Sequence, residues 1–391
     1  MARRVPHPDA PGLEALVGDD VAFIERSLFR QPLITAVDDV AAVTSADHLW
    51  TELLTGGIRP PFFRLVRDGA TLPAQAHGRR AGIGHRTIDD VIQPNRVLEL
   101  HDEGATVVLQ GLQLTDPHLA KLSNNLALAL DHPVQVNAYL SPPAARGLEL
   151  HFDLHDVFVL QLEGAKRWRV WDPLERTRDP VRGMPRPAPL TFDELGEPRL
   201  DLTLRTGDCL YLPRGHPHAA ETVDAGSAHL TIGILAVVWQ RALRAALDAA
   251  VAEGAWRTSI VPGTVPDAHD VVRSLRPHLE QAAMRRWMVK EVWRRQPATR
   301  LRPRHEPEIA SSTRMDLTPG PLVWLERTAG RAVLGLGDRV LSMPEEAHGF
   351  LAEVLGAPGP WTTDDLDGGL DAASKSVIAR RLATEGVVAP G

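Results

Sequence analysis

Apolar residues recur at helical spacing near the start of the chain. Leu13, Leu16, Val17, Phe23, Ile24 and Leu28 fall within residues 12–29 and predict a helix there. Gln31-Pro32-Leu33-Ile34 then breaks into extended chain, and residues 38–130 mix short helices with short strands. The clearest helix of that region is 119–130, with Leu122, Leu126 and Leu130 on one face. From Pro133 the period changes from about 3.6 to two: Val134-Gln135-Val136-Asn137-Ala138-Tyr139-Leu140 alternates, and Pro142-Pro143 turns. Residues 151–162 predict a strand, Glu163-Gly164 a turn, and 166–171 the returning strand. A loop rich in Pro and Arg follows to residue 198. Gly207-Asp208 then turns into Cys209-Leu210-Tyr211-Leu212, and residues 228–238 form another apolar strand. Short strands separated by Gly and Pro turns, with no helices between them, predict an antiparallel β-barrel or sandwich.

After residue 238 helical spacing returns. Trp239, Leu243, Ala246, Leu247, Ala250 and Val251 share one stripe, and Met284, Trp287, Met288 and Val292 another. Residues 297–307 read as a linker. A hairpin over 323–341, helices over 344–355 and 372–384, and a closing Gly386-Val387-Val388 segment predict a small winged-helix-like unit. The expected division is therefore a β-rich domain with an N-terminal helical and β extension over 1–238, a helical segment over 239–300 and a winged-helix-like domain over 301–391.

The composition narrows the functional classes. The chain has 391 residues, 43% hydrophobic and 24% charged, which excludes the disordered and fibrous classes. A net charge of −7 gives no overall basic field for nucleic acid or anionic lipid. The single cysteine, Cys209, rules out a disulfide framework and a Cys-rich zinc site. The first residues show no signal-peptide pattern, and the apolar run from Leu230 to Trp239 is far short of the roughly 20 residues that span a bilayer. A cytoplasmic location is expected.

The candidate chemistry lies in the β-rich region. His151 and Asp153, two apart on a strand, present an imidazole and a carboxylate side by side. A second histidine from a distant strand would complete a face of two histidines and one carboxylate, the ligand set suited to non-heme Fe(II) with open positions for a cosubstrate and O2. His216 and His218 both qualify, and spacing does not choose between them. His-x-Asp or His-x-Glu alone carries little weight, because His7/Asp9, His101/Glu103 and His278/Glu280 have it too. Of the 43 basic residues only Lys121, Lys166, Lys290 and Lys375 are lysine. Lys166 shares strand parity with Trp168 and Val170, so it is expected inside, where a carboxylate-bearing cosubstrate would pair it. Asn137 and Tyr139, also two apart, could add polar contacts.

Taken together, "NAYLSPP", "LELHFDLHDVFVLQLEGAKRWRVWDP", "GDCLYLPRGHPHAAET" and "AHLTIG" resemble the JmjC-type cupin hydroxylases of the ribosomal oxygenase group. The resemblance is close over residues 133–238, and the domain order fits nearly the whole chain. It implies an α+β protein with a double-stranded β-helix core of the cupin/JmjC jelly-roll type, a helical dimerisation segment and a C-terminal winged helix. It implies His151, Asp153 and His218 as iron ligands. It also implies Lys166 as the partner of the far carboxylate of 2-oxoglutarate, with Asn137, Tyr139 and Thr231 as further cosubstrate contacts. The activity implied is Fe(II)- and 2-oxoglutarate-dependent hydroxylation by O2 of a protein or peptide, foremost a ribosomal protein at His or Arg, by a homodimer. Two other readings compete: hydroxylation of a biosynthetic peptide or small metabolite, and a ligand-sensing cupin whose winged helix binds DNA. The second draws on the basic stretch 285–304. It is disfavoured because the last helix offers only Lys375, Arg380 and Arg381 beside Asp371 and Glu385.

Overall fold

In the computed structural model the alternation of residues 134–141 becomes a strand with two different faces. Val134, Val136, Ala138 and Leu140 are buried, while Asn137 and Tyr139 line a cavity. The structure describes all residues except 1–3, 56, 144, 146–148, 182, 184–187, 255, 256, 258, 260, 261, 263–266, 298–300, 306, 321–323 and 337. It omits the side chains of 224, 268, 281 and 282. Part of the 176–189 loop, Arg300 and the first residue of the expected 323–341 hairpin thus lie outside the described residues.

The chain divides into two compact units. One comprises Asp9–Ala129 and Val134–Ala236; the other comprises Met1–Pro8, Leu130–Pro133 and Val237–Gly391. The first contains strands β1 (Leu33–Ala36), β2 (Phe63–Arg67), β3 (Ala70–Thr71), β4 (Gly78–Ile83), β5 (Arg86–Ile92), β6 (Thr106–Leu109), β7 (Val134–Ser141), β8 (Asp156–Val170), β9 (Leu200–Arg205), β10 (Asp208–Leu212) and β11 (His218–Ile234). Nine of these form one antiparallel sheet in the order β1-β10-β8-β11-β7-β6-β2-β3, with β9 added to β8; β4 and β5 pair as a separate hairpin. The architecture is a large antiparallel sheet with helices, in the manner expected of a jelly-roll core.

Two expectations about this unit change. Residues 12–29 form two short helices, Glu14–Val17 and Asp20–Arg26, because Gly18 breaks the run at φ +76° and Asp19 caps the second helix by accepting from the Ala22 amide. Glu163-Gly164 is not a hairpin turn either: β8 runs unbroken from Asp156 to Val170. Gly164 adopts φ +68°, and a Cβ there would lie 2.1 Å from the Gly226 carbonyl oxygen, so only glycine fits. On the facing strand, pairing jumps from Val223–Ala165 to Ser227–Gly164. The two long central strands bulge opposite each other, and both continue.

In the other unit, helices Trp239–Ala252, Ala268–Leu279 and Gln281–Trp293 precede a C-terminal module. That module has a three-stranded sheet (Trp324–Thr328, Arg331–Gly335, Val340–Pro344) and a strand pair (Met315–Leu317 with Val388–Pro390). Its core gathers Met315, Leu334, Phe350, Leu351, Trp361 and Leu382. Among the described residues no helix is long and apolar enough to cross a membrane.

Candidate active site

The opposed bulges determine which side chains meet inside the sheet. Before Gly164, Val157 and Val159 of β8 line the cavity; after it, Lys166 and Trp168 do. On β11 the lining switches in the same way, from His218 and Ala220 to His229 and Thr231. A single extra residue reverses the alternation of a strand. Residues of opposite parity therefore share one cavity, together with Asn137 and Tyr139 from β7 and Thr106 and Val108 from β6.

At one end of the cavity stand His151, Asp153 and His218. Their potential ligand atoms all lie within 4.8 Å of one another, and among the described residues they are the one such group of three. His151 and His218 are held by reciprocal backbone hydrogen bonds: the His218 amide donates to the His151 carbonyl at 2.8 Å, and the His151 amide to the His218 carbonyl at 3.2 Å. Their rings are 4.3 Å apart, and His218 Nε2 is 3.9 Å from Asp153 Oδ2. His151 Nδ1 lies 2.6 Å from the Glu149 carbonyl and His218 Nδ1 lies 3.0 Å from the His216 carbonyl. Each Nδ1 therefore carries the proton, a tautomer assigned from its partner, which leaves both Nε2 lone pairs for a metal. Burial, and next the neighbouring His151, lower the pKa of His218 to about 4, so this imidazole is neutral and able to ligate.

The third position, Asp153, is set by its flanking chain. Its carbonyl accepts from the Gly215 amide at 3.0 Å. Three residues on, the fully buried Asp156 accepts from the Arg214 amide, the Arg214 guanidinium and the Tyr211 hydroxyl, each at 3.2 Å. Gly215 has φ +83°, and a Cβ there would meet the Thr177 carbonyl oxygen at 2.2 Å. These contacts fasten the Asp153 segment to the turn before His218. His216 lies on that turn, not on β11, so the shared strand parity with His218 does not exist. The His216 ring turns to the Pro213 carbonyl, 3.1 Å from Nδ1, away from the triad.

Toward the opposite end lies Lys166, buried at 3% exposure. Its ammonium donates to the Ser141 hydroxyl at 3.3 Å, Ser141 is 3.2 Å from the Thr106 hydroxyl, and no carboxylate among the described residues pairs with it. Burial pulls its pKa from 10.5 to about 8. Asn137 accepts from the Gly111 amide at 3.0 Å, and burial, then the Asp153 charge, raise the Tyr139 pKa to about 12. Thr231 pairs with Asn137 across the β11–β7 ladder. Trp168 stands between the two ends, its ring 5.8 Å from His218 and 5.9 Å from His229.

The remaining histidine–acid pairs lead elsewhere. Asp9 pairs with Lys121, His101 packs on Trp50, and His278 lies 3.6 Å from Glu253. His229 was not anticipated from the sequence. It shares strand parity with Thr231, and that was the available signal.

The donor set fits a divalent, oxygen-activating metal: two imidazoles and one carboxylate on one side of a cavity, where ligands from the cavity could complete the coordination. Residues 113–242 match the model of the JmjC domain family. The match covers about a third of the chain and includes all three residues of the triad. Over 142 residues the chain is 38% identical to the bifunctional lysine-specific demethylase and histidyl-hydroxylase NO66 of Dictyostelium discoideum, covering 36% of this chain and 27% of that protein. Over 97 residues it is 47% identical to ribosomal oxygenase 1 of Gallus gallus, covering 25% of this chain and 16% of that one. The matched segment spans about a quarter or less of these relatives' length. Among solved structures, the Escherichia coli ribosomal oxygenase YcfD aligns with TM-score 0.55 at 16% identity, over 95% of this chain and 98% of that one. A YcfD complex with cobalt and 2-oxoglutarate aligns with TM-score 0.53 at 17% identity, over 94% and 97% of the two chains. At such identity these structures show a shared fold.

Proposed function

We propose that the chain is an Fe(II)- and 2-oxoglutarate-dependent oxygenase that hydroxylates a side chain of a protein or peptide. The observation that carries this is the cavity itself, with a two-imidazole, one-carboxylate triad at one end and, at the other, a buried ammonium that no carboxylate among the described residues pairs. A dicarboxylic 2-oxo acid satisfies both, its oxo-acid end on the metal and its far carboxylate on Lys166. When bound, iron and 2-oxoglutarate supply O2 activation coupled to decarboxylation, chemistry that no side chain here can perform. His151, Asp153 and His218 would hold the metal, and Lys166 would orient the cosubstrate. Asn137, Tyr139 and Thr231 would border it, and Val157, Val159 and Trp168 would keep that region dry.

The relatives' names, a histidyl-hydroxylase and ribosomal oxygenases, support a ribosomal protein as the substrate class and hydroxylation as the reaction. Incubation of the anaerobically purified protein with Fe(II), 2-oxoglutarate, air and ribosomal proteins tests this. Succinate formation together with gain of one oxygen atom on one ribosomal protein is expected. Loss of a methyl group in place of oxygen gain would make the reaction a demethylation. Absence of 2-oxoglutarate binding would overturn the oxygenase reading.

The remaining assignments extend this reading. We assign 1–238 to the catalytic domain, 239–300 to a dimerisation segment and 301–391 to a winged-helix-like domain. Supporting the second, Trp239, Leu243, Leu247 and Val251 are exposed along one stripe of Trp239–Ala252. A homodimer would cover them, and a monomeric mass at micromolar concentration would refute it. The basic stretch within 285–304 is paired internally: Arg286 with Glu326, Arg294 and Arg295 with Glu291, and Arg302 with Glu385. This favours a structural role for it over DNA contact, and salt-sensitive binding to duplex DNA would reverse that. A cytoplasmic location accords with the lone buried thiol of Cys209, and cell fractionation checks it.

A further inference from the structure

His229 lines the same cavity, is 3% exposed, and takes no part in the triad. It stands opposite Tyr139 in the β11–β7 ladder, and the two rings stack with centroids 4.9 Å apart and planes 2° from parallel. The edge of Trp168 confines it from another side, at 5.9 Å. The imidazole is thus held in one orientation, yet its buried Nδ1 has no hydrogen-bond partner among the described residues. A buried polar atom left unpaired is costly, so a fixed one beside a ligand cavity calls for an occupant that pairs it. Lys166 is its charged neighbour and has the Ser141 hydroxyl as its partner. Two polar groups at one end of the cavity are therefore short of acceptors.

We propose that His229 is a second contact for the far carboxylate of the cosubstrate, donating its ring N–H beside the Lys166 ammonium and selecting a 2-oxo acid that carries that carboxylate. The inference rests on the oxygenase reading above and adds a residue which that reading does not require. Burial, and then the Lys166 charge, hold the His229 pKa well below its ordinary value, so the ring stays neutral. A neutral imidazole contributes one donor and no second positive charge. The end of the cavity then carries one positive charge, matched to one carboxylate, and leaves a phosphate dianion under-compensated.

The test is calorimetric titration of the full chain loaded with Mn(II), which stands in for iron without turnover. The two probes are 2-oxoglutarate and 2-oxopentanoate, which has the same carbon chain without the far carboxylate. His229→Phe keeps an aromatic ring on Tyr139 and removes the donor; His229→Leu serves if the first variant does not fold. A charge-assisted hydrogen bond corresponds to about a tenfold or greater loss of 2-oxoglutarate affinity, with 2-oxopentanoate affinity unchanged. Equal weakening of both acids would show a packing role only, and unchanged affinity for both would show no role; either overturns the proposal. If the wild-type protein itself fails to bind 2-oxoglutarate, the oxygenase reading falls and this inference with it. If wild type binds and the variants match it, His229 alone is misassigned.

Discussion

Replacing Lys166 by Met separates folding from ligand binding at this site. The ammonium is buried with a hydroxyl as its partner, and its pKa falls from 10.5 to about 8. That displacement corresponds to about 3 kcal/mol of stability forgone to keep the charge inside. The sign follows from proton binding. Below pH 8 Lys166 is protonated in both the folded and the unfolded chain, and the penalty is complete. Between about 8 and 10.5 the unfolded chain holds the extra proton, so wild-type stability rises with pH relative to a variant lacking the group. Met has nearly the same length and no charge, so Lys166→Met is expected to stabilise the ligand-free barrel by up to about 3 kcal/mol at pH 7. For a unit of this size each kcal/mol raises Tm by roughly 2–4 °C. The same change should abolish the further stabilisation that wild type gains from Mn(II) with 2-oxoglutarate. Thermal unfolding at pH 7 and pH 9.5, with and without these ligands, reads all three effects. A variant less stable than wild type by 1 kcal/mol or more, still stabilised by 2-oxoglutarate, would refute the argument and make Lys166 a packing residue.

Other positions give separate checks. His151→Ala, Asp153→Ala and His218→Ala should each lose bound Fe(II) in a metal analysis, whereas His216→Ala should retain it; metal loss in the last variant alone would reverse the choice between the two histidines. Gly164→Ala forces a Cβ against the Gly226 carbonyl at a positive φ, so denaturant unfolding should show a loss of at least about 2 kcal/mol; wild-type stability would mean that the corner relaxes freely. Asp156→Ala leaves the Arg214 guanidinium, 13% exposed, without its buried partner and should cost about 3 kcal/mol. It should also weaken Mn(II) binding, because the same contacts fix the Asp153 segment; unchanged Mn(II) affinity would confine Asp156 to stability.

What the sequence made legible depended on local period. Residues 134–141 alternate cleanly, and the structure keeps that alternation, with apolar positions in the core and Asn137 and Tyr139 in the cavity. The parity of Lys166 with Trp168 and Val170 also survives, since all three are buried on the same strand. Glu163-Gly164 misled because glycine at a positive φ marks a turn and a bulge equally well, and only the partner strand distinguishes them. The same limit applied to His216 and His218. Counting by two presumes a strand, but β11 begins at His218, and the turn before it is shaped by Asp156 and Thr177, which lie far away in sequence. His229 escaped notice because its significance comes from its nearness to Lys166 on the neighbouring strand and its stacking on Tyr139, and no single-strand pattern encodes that.

The bulged corner explains why one cavity brings together the His151–Asp153–His218 group and Lys166. Without it β8 would keep a single parity, and a strand presenting Val157 and Val159 inward would turn Lys166 outward. Without its counterpart on β11, His218 and Thr231 could not face the same space, since they lie thirteen positions apart and differ in parity. Gly164 permits the paired shift because the Gly226 carbonyl approaches too closely for a side chain, and Gly226 does so by adopting φ +103°. His218, Lys166, Asn137, Tyr139 and Thr231 are thereby placed on hydrogen-bonded strands, whose positions move less than those of loops. His151 and Asp153 lie outside the long strands: His151 is bridged to His218, and beside Asp153 the chain invests a buried carboxylate–guanidinium pair and a strained glycine turn. Rigidity is thus supplied by the sheet where a strand reaches the site and by a buried ionic clamp where none does.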